Sequence, residues 1–294
     1  GRTRAWELRL SFTPRKVSSA LTPTVPPVLP PLHRRQPWQS WWPGLLAAVA
    51  ATLALKLATL ALAWLDCWVL LPLVAALAWP LWACHREQAL FVRRLLLAGA
   101  TVDTGRVRRW FWRGTVSQTL GVVPAFFWAG ALLLTATQLT RVQWVILAVD
   151  GAVLALALPW LKHGLRRQIT PPFLGAAARR WPLLLGNVAL LLAAFVAHDH
   201  WLGFADTRAL SWGALVAQTL QAAQQGVACP TAATLVGVAA LADRLPRHAA
   251  LLFVSGVADA SIRLLAWLVF LAFTAFGAYL FTRFVLGVQA LLDA

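Results

Sequence analysis

The chain has 294 residues, of which 60% are hydrophobic and only 12% charged, with a formal net charge of +16. Together with a mean hydropathy of +0.68, this composition excludes an ordinary soluble domain and points to a polytopic membrane protein. The basic residues sit in links between apolar segments, not on a folded soluble domain. Such an arrangement assigns them to membrane faces and argues against nucleic acid as a partner.

Residues 1–43 form a basic, Pro-rich N-terminal arm. From Trp6 to Phe12, apolar and polar residues alternate without a break, which is a strand pattern. Pro14, Pro23, Pro26, Pro27, Pro30, Pro31 and Pro37 then favour an extended arm over a helix. An isolated strand in a helical membrane protein needs an edge on another chain or a place on the membrane surface. Trp6, Leu8, Leu10 and Phe12 are therefore the candidate partner-binding residues, toward a protein partner or a second copy. There is no apolar core ahead of Leu45, so the arm does not resemble a signal peptide; its basic, Ser- and Thr-bearing character suits an organellar transit segment better, although Glu7 argues against one.

Residues 44–294 are expected to be a transmembrane helical domain, since an α-helix needs roughly 20 apolar residues to cross about 30 Å of hydrocarbon. The spans fall at 45–65, 67–84, 119–139, 144–161, 183–197, 227–242 and 264–288. Only Asp66 and Cys67 separate the first two, so they form a tight hairpin. Pro72 and Pro80 would kink its second limb. From Arg86 to Leu97 the pattern predicts an interfacial helix with Phe91 toward lipid. Arg106 to Arg113 interleaves arginine with Trp110, Phe111 and Trp112, as chains do when they anchor at headgroup level. Residues 227–242 are interrupted by Cys229-Pro230. If that segment crosses there are seven spans, and if it lies in the outer interface there are six. The expected fold is an all-α polytopic transmembrane helical bundle of six to seven spans, with interfacial helices and an extended Pro-rich arm.

The charges set the orientation. Seven basic residues precede Leu45, seven lie between His85 and Gln118, and five lie from Lys162 to Pro182, whereas the Asp66-Cys67 tip has none. By the positive-inside rule the N-terminus is inside a bacterial-type inner membrane, or an organellar inner membrane as the alternative. Arg93, Arg94, Arg106, Arg108, Arg109, Arg113, Arg179 and Arg180 are the candidate contacts to anionic headgroups. Cys67 and Cys84 then fall at opposite faces, which argues against a disulfide between them.

Charged residues within spans are costly, so they mark sites or packing ties. Lys56 and Asp150 lie at similar expected depths and could pair, either as a structural tie or along a transport path. Gln218, Gln221 and Gln225 share a helical face and could line a polar path or bond to neighbouring helices. His198, Asp199 and His200 could ligate a metal, but alternate residues converge on a metal only in an extended segment. Phosphate loops, dinucleotide fingerprints and paired glutamates are absent, and no cofactor or catalytic residue is evident. The leading functional expectation is a non-enzymatic subunit or scaffold of a membrane complex. The second is a small transporter or channel using Lys56 and Asp150. The third is a membrane enzyme acting on a lipid or isoprenoid phosphate.

Overall fold

The computed structural model describes residues 41–100, 119, 121–169, 171–202, 207–256 and 260–293. The arm with the strand expected at 6–12, and the Arg106 to Arg113 segment, lie outside the described residues. Among the described residues all regular structure is helical: α1 (Trp42–Ala61), α2 (Cys67–Ala100), α3 (Val122–Thr137), α4 (Arg141–Leu165), α5 (Pro171–Ala178), a π turn (Arg179–Leu183), α6 (Leu184–Leu202), α7 (Trp212–Gly226), α8 (Pro230–Gly256) and α9 (Ala260–Leu292).

Among the described residues, four stretches are long and apolar enough to cross a membrane: Trp42–Ala61, Cys67–Arg93, Arg141–Leu165 and Trp267–Leu292. Val122–Thr137 and Leu184–His198 are shorter apolar helices. The outward faces support the same reading. Val142, Val145, Val149, Val153 and Leu156 form one exposed apolar stripe along α4, which water would not tolerate and hydrocarbon does. Exposed Trp64 and Trp68 ring one end of the bundle, and exposed Trp42 and Trp160 ring the other, as interfacial aromatics do.

Local chemistry sets where the helices begin. Pro43 sits in the first turn of α1, where its missing N–H costs nothing. Thr140 caps α4 through a reciprocal pair: its hydroxyl accepts from the Gln143 N–H at 3.3 Å, and the Gln143 side chain accepts from the Thr140 N–H at 2.9 Å. That capping box starts the helix at Arg141, three residues before the apolar pattern suggests. The interfacial helix expected after the second span is not separate. One helix runs from Cys67 to Ala100 through Pro72 and Pro80. Its Phe91 meets Phe173 of α5 edge-on at 5.9 Å instead of facing only lipid.

Small residues fix the register of the bundle. A Cβ at Gly151 would lie 3.4 Å from the Ala48 Cβ, and one at Gly44 would lie 3.7 Å from the Ala155 Cβ, so α1 and α4 run antiparallel in close contact. At Gly287 of α9 a Cβ would fall inside contact distance of the Pro80 carbonyl on α2. Only glycine fits there.

Candidate functional site

This register decides what the intramembrane charges touch. With Gly151 facing Ala48 and Thr52, Lys56 lies opposite the start of α4, about 9 Å of helix rise from the level of Asp150. The expected Lys56 to Asp150 contact is therefore replaced by two others. The Lys56 ammonium sits over the Trp144 ring at 4.8 Å from its centroid. Asp150, only 4% exposed, accepts a hydrogen bond from the Asn187 amide at 2.9 Å. The same amide nitrogen donates to the Thr282 hydroxyl at 3.0 Å, and that hydroxyl donates to the Ala278 carbonyl at 2.8 Å. A single buried amide thus ties α4, α6 and α9 together.

Arg283, next to Thr282, is a third intramembrane charge and is 3% exposed. It donates to the Tyr279 hydroxyl at 2.8 Å and stacks over Trp128 at 4.4 Å. Trp128 in turn meets His85 edge-on. The rule that singles out Lys56 and Asp150 also singles out Arg283, the one charge between Arg263 and Asp293. Asn187 gives no comparable signal, because asparagine is uncharged.

At the end of the bundle where α1 begins, Arg179 turns inward from the π turn. It forms a two-pronged bond with Glu87, its Nε donating at 2.9 Å and its Nη2 donating to the other carboxylate oxygen. Its Nη1 donates to Asp293 at 2.5 Å, and Lys162 reaches the same oxygen at 2.6 Å. Arg179 is therefore an internal tie joining α2 to the end of α9, with α4 added through Lys162 on the same Asp293 oxygen, and not the headgroup contact expected from sequence. Burial opposes its charge, but the bonds and charges of Glu87 and Asp293 outweigh burial and raise its pKa above the usual arginine range. Burial alone would raise the Asp293 carboxyl. The bonds and charges of Lys162 and Arg179 outweigh it and hold Asp293 below the usual carboxylate range.

The opposite end is built differently. Cys67, at the α1–α2 tip, is disulfide-bonded to Cys229, just ahead of α8. The Ala228 N–H also donates to the Leu62 carbonyl at 3.4 Å. Cys84 is free and buried. From the disulfide, α7 and α8 form an antiparallel hairpin. Arg244 donates to the Thr219 hydroxyl at 3.3 Å, and Trp212 meets the buried His248 edge-on at 4.7 Å. Thr207 bonds the His248 ring at 2.8 Å. Beneath α8 lies a cavity of about 430 Å³. Its walls come from α3, α4, α6 and α9, with Leu132, Leu147, Phe195 and Phe281 deep inside and Gln138, Asp243 and Arg247 at one edge.

No protein family model, curated protein or solved structure matches the chain. The site must be argued from geometry alone.

The remaining candidates are placed as follows. Gln218, Gln221 and Gln225 are all exposed, because α7 packs through Leu215, Thr219 and Ala223 against α8. They neither line the cavity nor face a helix interior. Arg180 is half-buried, with its guanidinium 5.9 Å from the Phe91 ring. Arg93 is half-buried, and the side chain of Arg94 lies outside the described residues. His198 is half-buried near the end of α6, while the side chains of Asp199 and His200 lie outside the described residues. Among the described residues no three His, Cys, Asp or Glu side chains gather as a metal site would require. Trp6, Leu8, Leu10, Phe12, Arg106, Arg108, Arg109 and Arg113 also lie outside them.

Proposed function

We propose that the chain is a non-enzymatic subunit or scaffold of a membrane assembly, with six crossings and its N-terminus inside a bacterial-type inner membrane. The observation that carries this reading is the bonding of Asp150 to Asn187 and of Asn187 to Thr282. Asp150, Asn187 and Thr282 use these hydrogen bonds to join α4, α6 and α9, which is what a load-transmitting bundle needs and a permeation path does not. A transport path would bring Asp150 and Lys56 to a polar cavity. The cavity under α8, among the described residues, is walled mainly by leucine, alanine and phenylalanine, and neither Asp150 nor Lys56 lines it.

The four helices long and apolar enough to span support this count, which adds the two shorter apolar helices as crossings and leaves the α7–α8 hairpin at the outer face. Two independent features support the orientation. The basic links around Arg93, Arg166, Arg167 and Arg180 belong to the end where α1 begins. The disulfide belongs to the other end, and disulfides persist on the oxidising side of a membrane.

Under this reading the arm is the docking element, since its strand pattern needs a partner edge. The test is the native mass after gentle detergent extraction, comparing the full chain with one lacking Gly1 to Pro37. The expected result is an assembly heavier than the 32.0 kDa chain that falls apart without the arm. A 32.0 kDa monomer in both cases would overturn the proposal.

A further inference from the structure

The cavity under α8 has a feature that a packing defect lacks: part of its wall faces the bilayer. Phe127 on α3 and Phe273 and Phe276 on α9 line it, yet they are 70%, 51% and 40% exposed on the outer surface of the bundle. The mouth therefore opens sideways between α3 and α9 into hydrocarbon. From Phe273 to Phe281 the cavity follows α9 for about 12 Å, close to the roughly 15 Å depth of one leaflet's hydrocarbon. Its volume of about 430 Å³ lies within the roughly 300–1,000 Å³ of ligand sites.

The edge of the cavity nearest the disulfide end is polar. Gln138 and Gln143 are joined there by Asp243 and Arg247, which face each other at 3.0 Å. One carboxylate and one guanidinium together favour neither a net anion nor a net cation. Already paired with each other across one helix turn, they would receive a headgroup that carries both charges by exchanging partners, with phosphate toward Arg247 and an amine toward Asp243.

We propose that this cavity is a binding site for one acyl chain of a zwitterionic phospholipid from the outer leaflet, with its headgroup at Asp243 and Arg247. The inference goes beyond the scaffold reading, and only its choice of leaflet rests on the orientation proposed above. A phospholipid enters laterally because the mouth opens into the leaflet. The chain lies against Phe195, Phe273 and Phe281, and α8 covers the end where the headgroup sits.

Gly277 offers a way to fill the cavity. It lines the wall, and a Cβ there would meet no atom within 4 Å. Gly186 on α6 is equally open but exposed away from the cavity, so it serves as the control. The experiment measures phospholipid retained per chain by native mass spectrometry after extensive detergent washing. The full chain is expected to keep one phospholipid. Gly277→Trp should lower retention at least fivefold, and Gly186→Trp should leave it within twofold. Ala131→Leu, from the facing wall, should repeat the loss if Gly277→Trp does not fold. In nanodiscs of phosphatidylethanolamine with a chain-spin-labelled tracer, the full chain should show an immobilised component that Gly277→Trp lacks. Equal retention in all variants, an unwashed full chain that carries no phospholipid, or an isoprenoid or quinone in its place would each overturn the proposal.

Discussion

The two ends of this bundle are held by opposite kinds of chemistry. At one end, Glu87 of α2 and Asp293 after α9 bond Arg179 of the π turn, Lys162 of α4 bonds the same Asp293, and the four charges close the bundle. At the other end, a covalent bond between Cys67 and Cys229 fastens a helical hairpin over an apolar cavity. Directional ionic bonds leave no room for a ligand, whereas a disulfide fixes only one point and leaves space beneath the element it holds. The difference shows how a chain with few polar residues can be tied by charges at one face and by a single covalent point above a cavity at the other.

Breaking the ionic end should have the largest effect. Arg179→Ala leaves Glu87 without its partner and Asp293 with Lys162 alone; both carboxylates keep contact with solvent, so the loss should sit near the low end of the about 3–5 kcal/mol for breaking a buried pair. Thermal unfolding in detergent should show a drop of several degrees, and an unchanged transition would remove Arg179 from the account. A subtler probe is the mid-depth tie. Asn187→Ala deprives Asp150 and Thr282 of their shared donor, an expected loss of about 1–3 kcal/mol for a buried group left unsatisfied.

Acid should act on the ionic end through Asp293. The folded-state pKa of Asp293 is held down by Lys162 and Arg179, so its stabilising effect is complete above its unfolded value of about 3.9. That effect is lost as pH falls through the lower folded value. Melting temperature should thus be flat above about pH 4.5 with respect to this group and decline below about pH 4, and Asp293→Asn should reduce the decline. Since Asp293 is 44% exposed, solvent screening keeps the effect modest. The smallest effect is expected at Lys56. Its partner is the face of Trp144 and not Asp150, so Lys56→Ala should cost about 1 kcal/mol or less. A loss matching that of Asn187→Ala would restore the direct ion pair.

Much of the bundle was legible in the sequence because hydrophobic length is a strong local signal. The α1–α2 and α3–α4 hairpins and the apolar part of α9 follow directly from it. What was hidden depends on register and on contacts between distant segments. Lys56 and Asp150 have similar depths by residue counting, but Gly44 and Gly151 let α1 and α4 settle with the two charges about 9 Å apart in helix rise. Cys67 and Cys229 are 162 residues apart and carry no spacing motif. Arg179 and Arg180 look equivalent in the sequence, yet the π turn sends one inward and leaves the other half-buried. The glutamines of α7 show a shared face but not which way it points. That direction is decided by the small residues with which α7 meets α8.

The contrast between the ends, and the orientation proposed from it, can be read with thiols. Intact cells or sealed right-side-out membranes would be treated with a membrane-impermeant maleimide, before and after an impermeant phosphine reductant. The account predicts no label before reduction and two labels after it, at Cys67 and Cys229, with buried Cys84 unlabelled throughout. Labelling of Cys67 without reduction, or labelling of either residue only after the membrane is permeabilised, would contradict it.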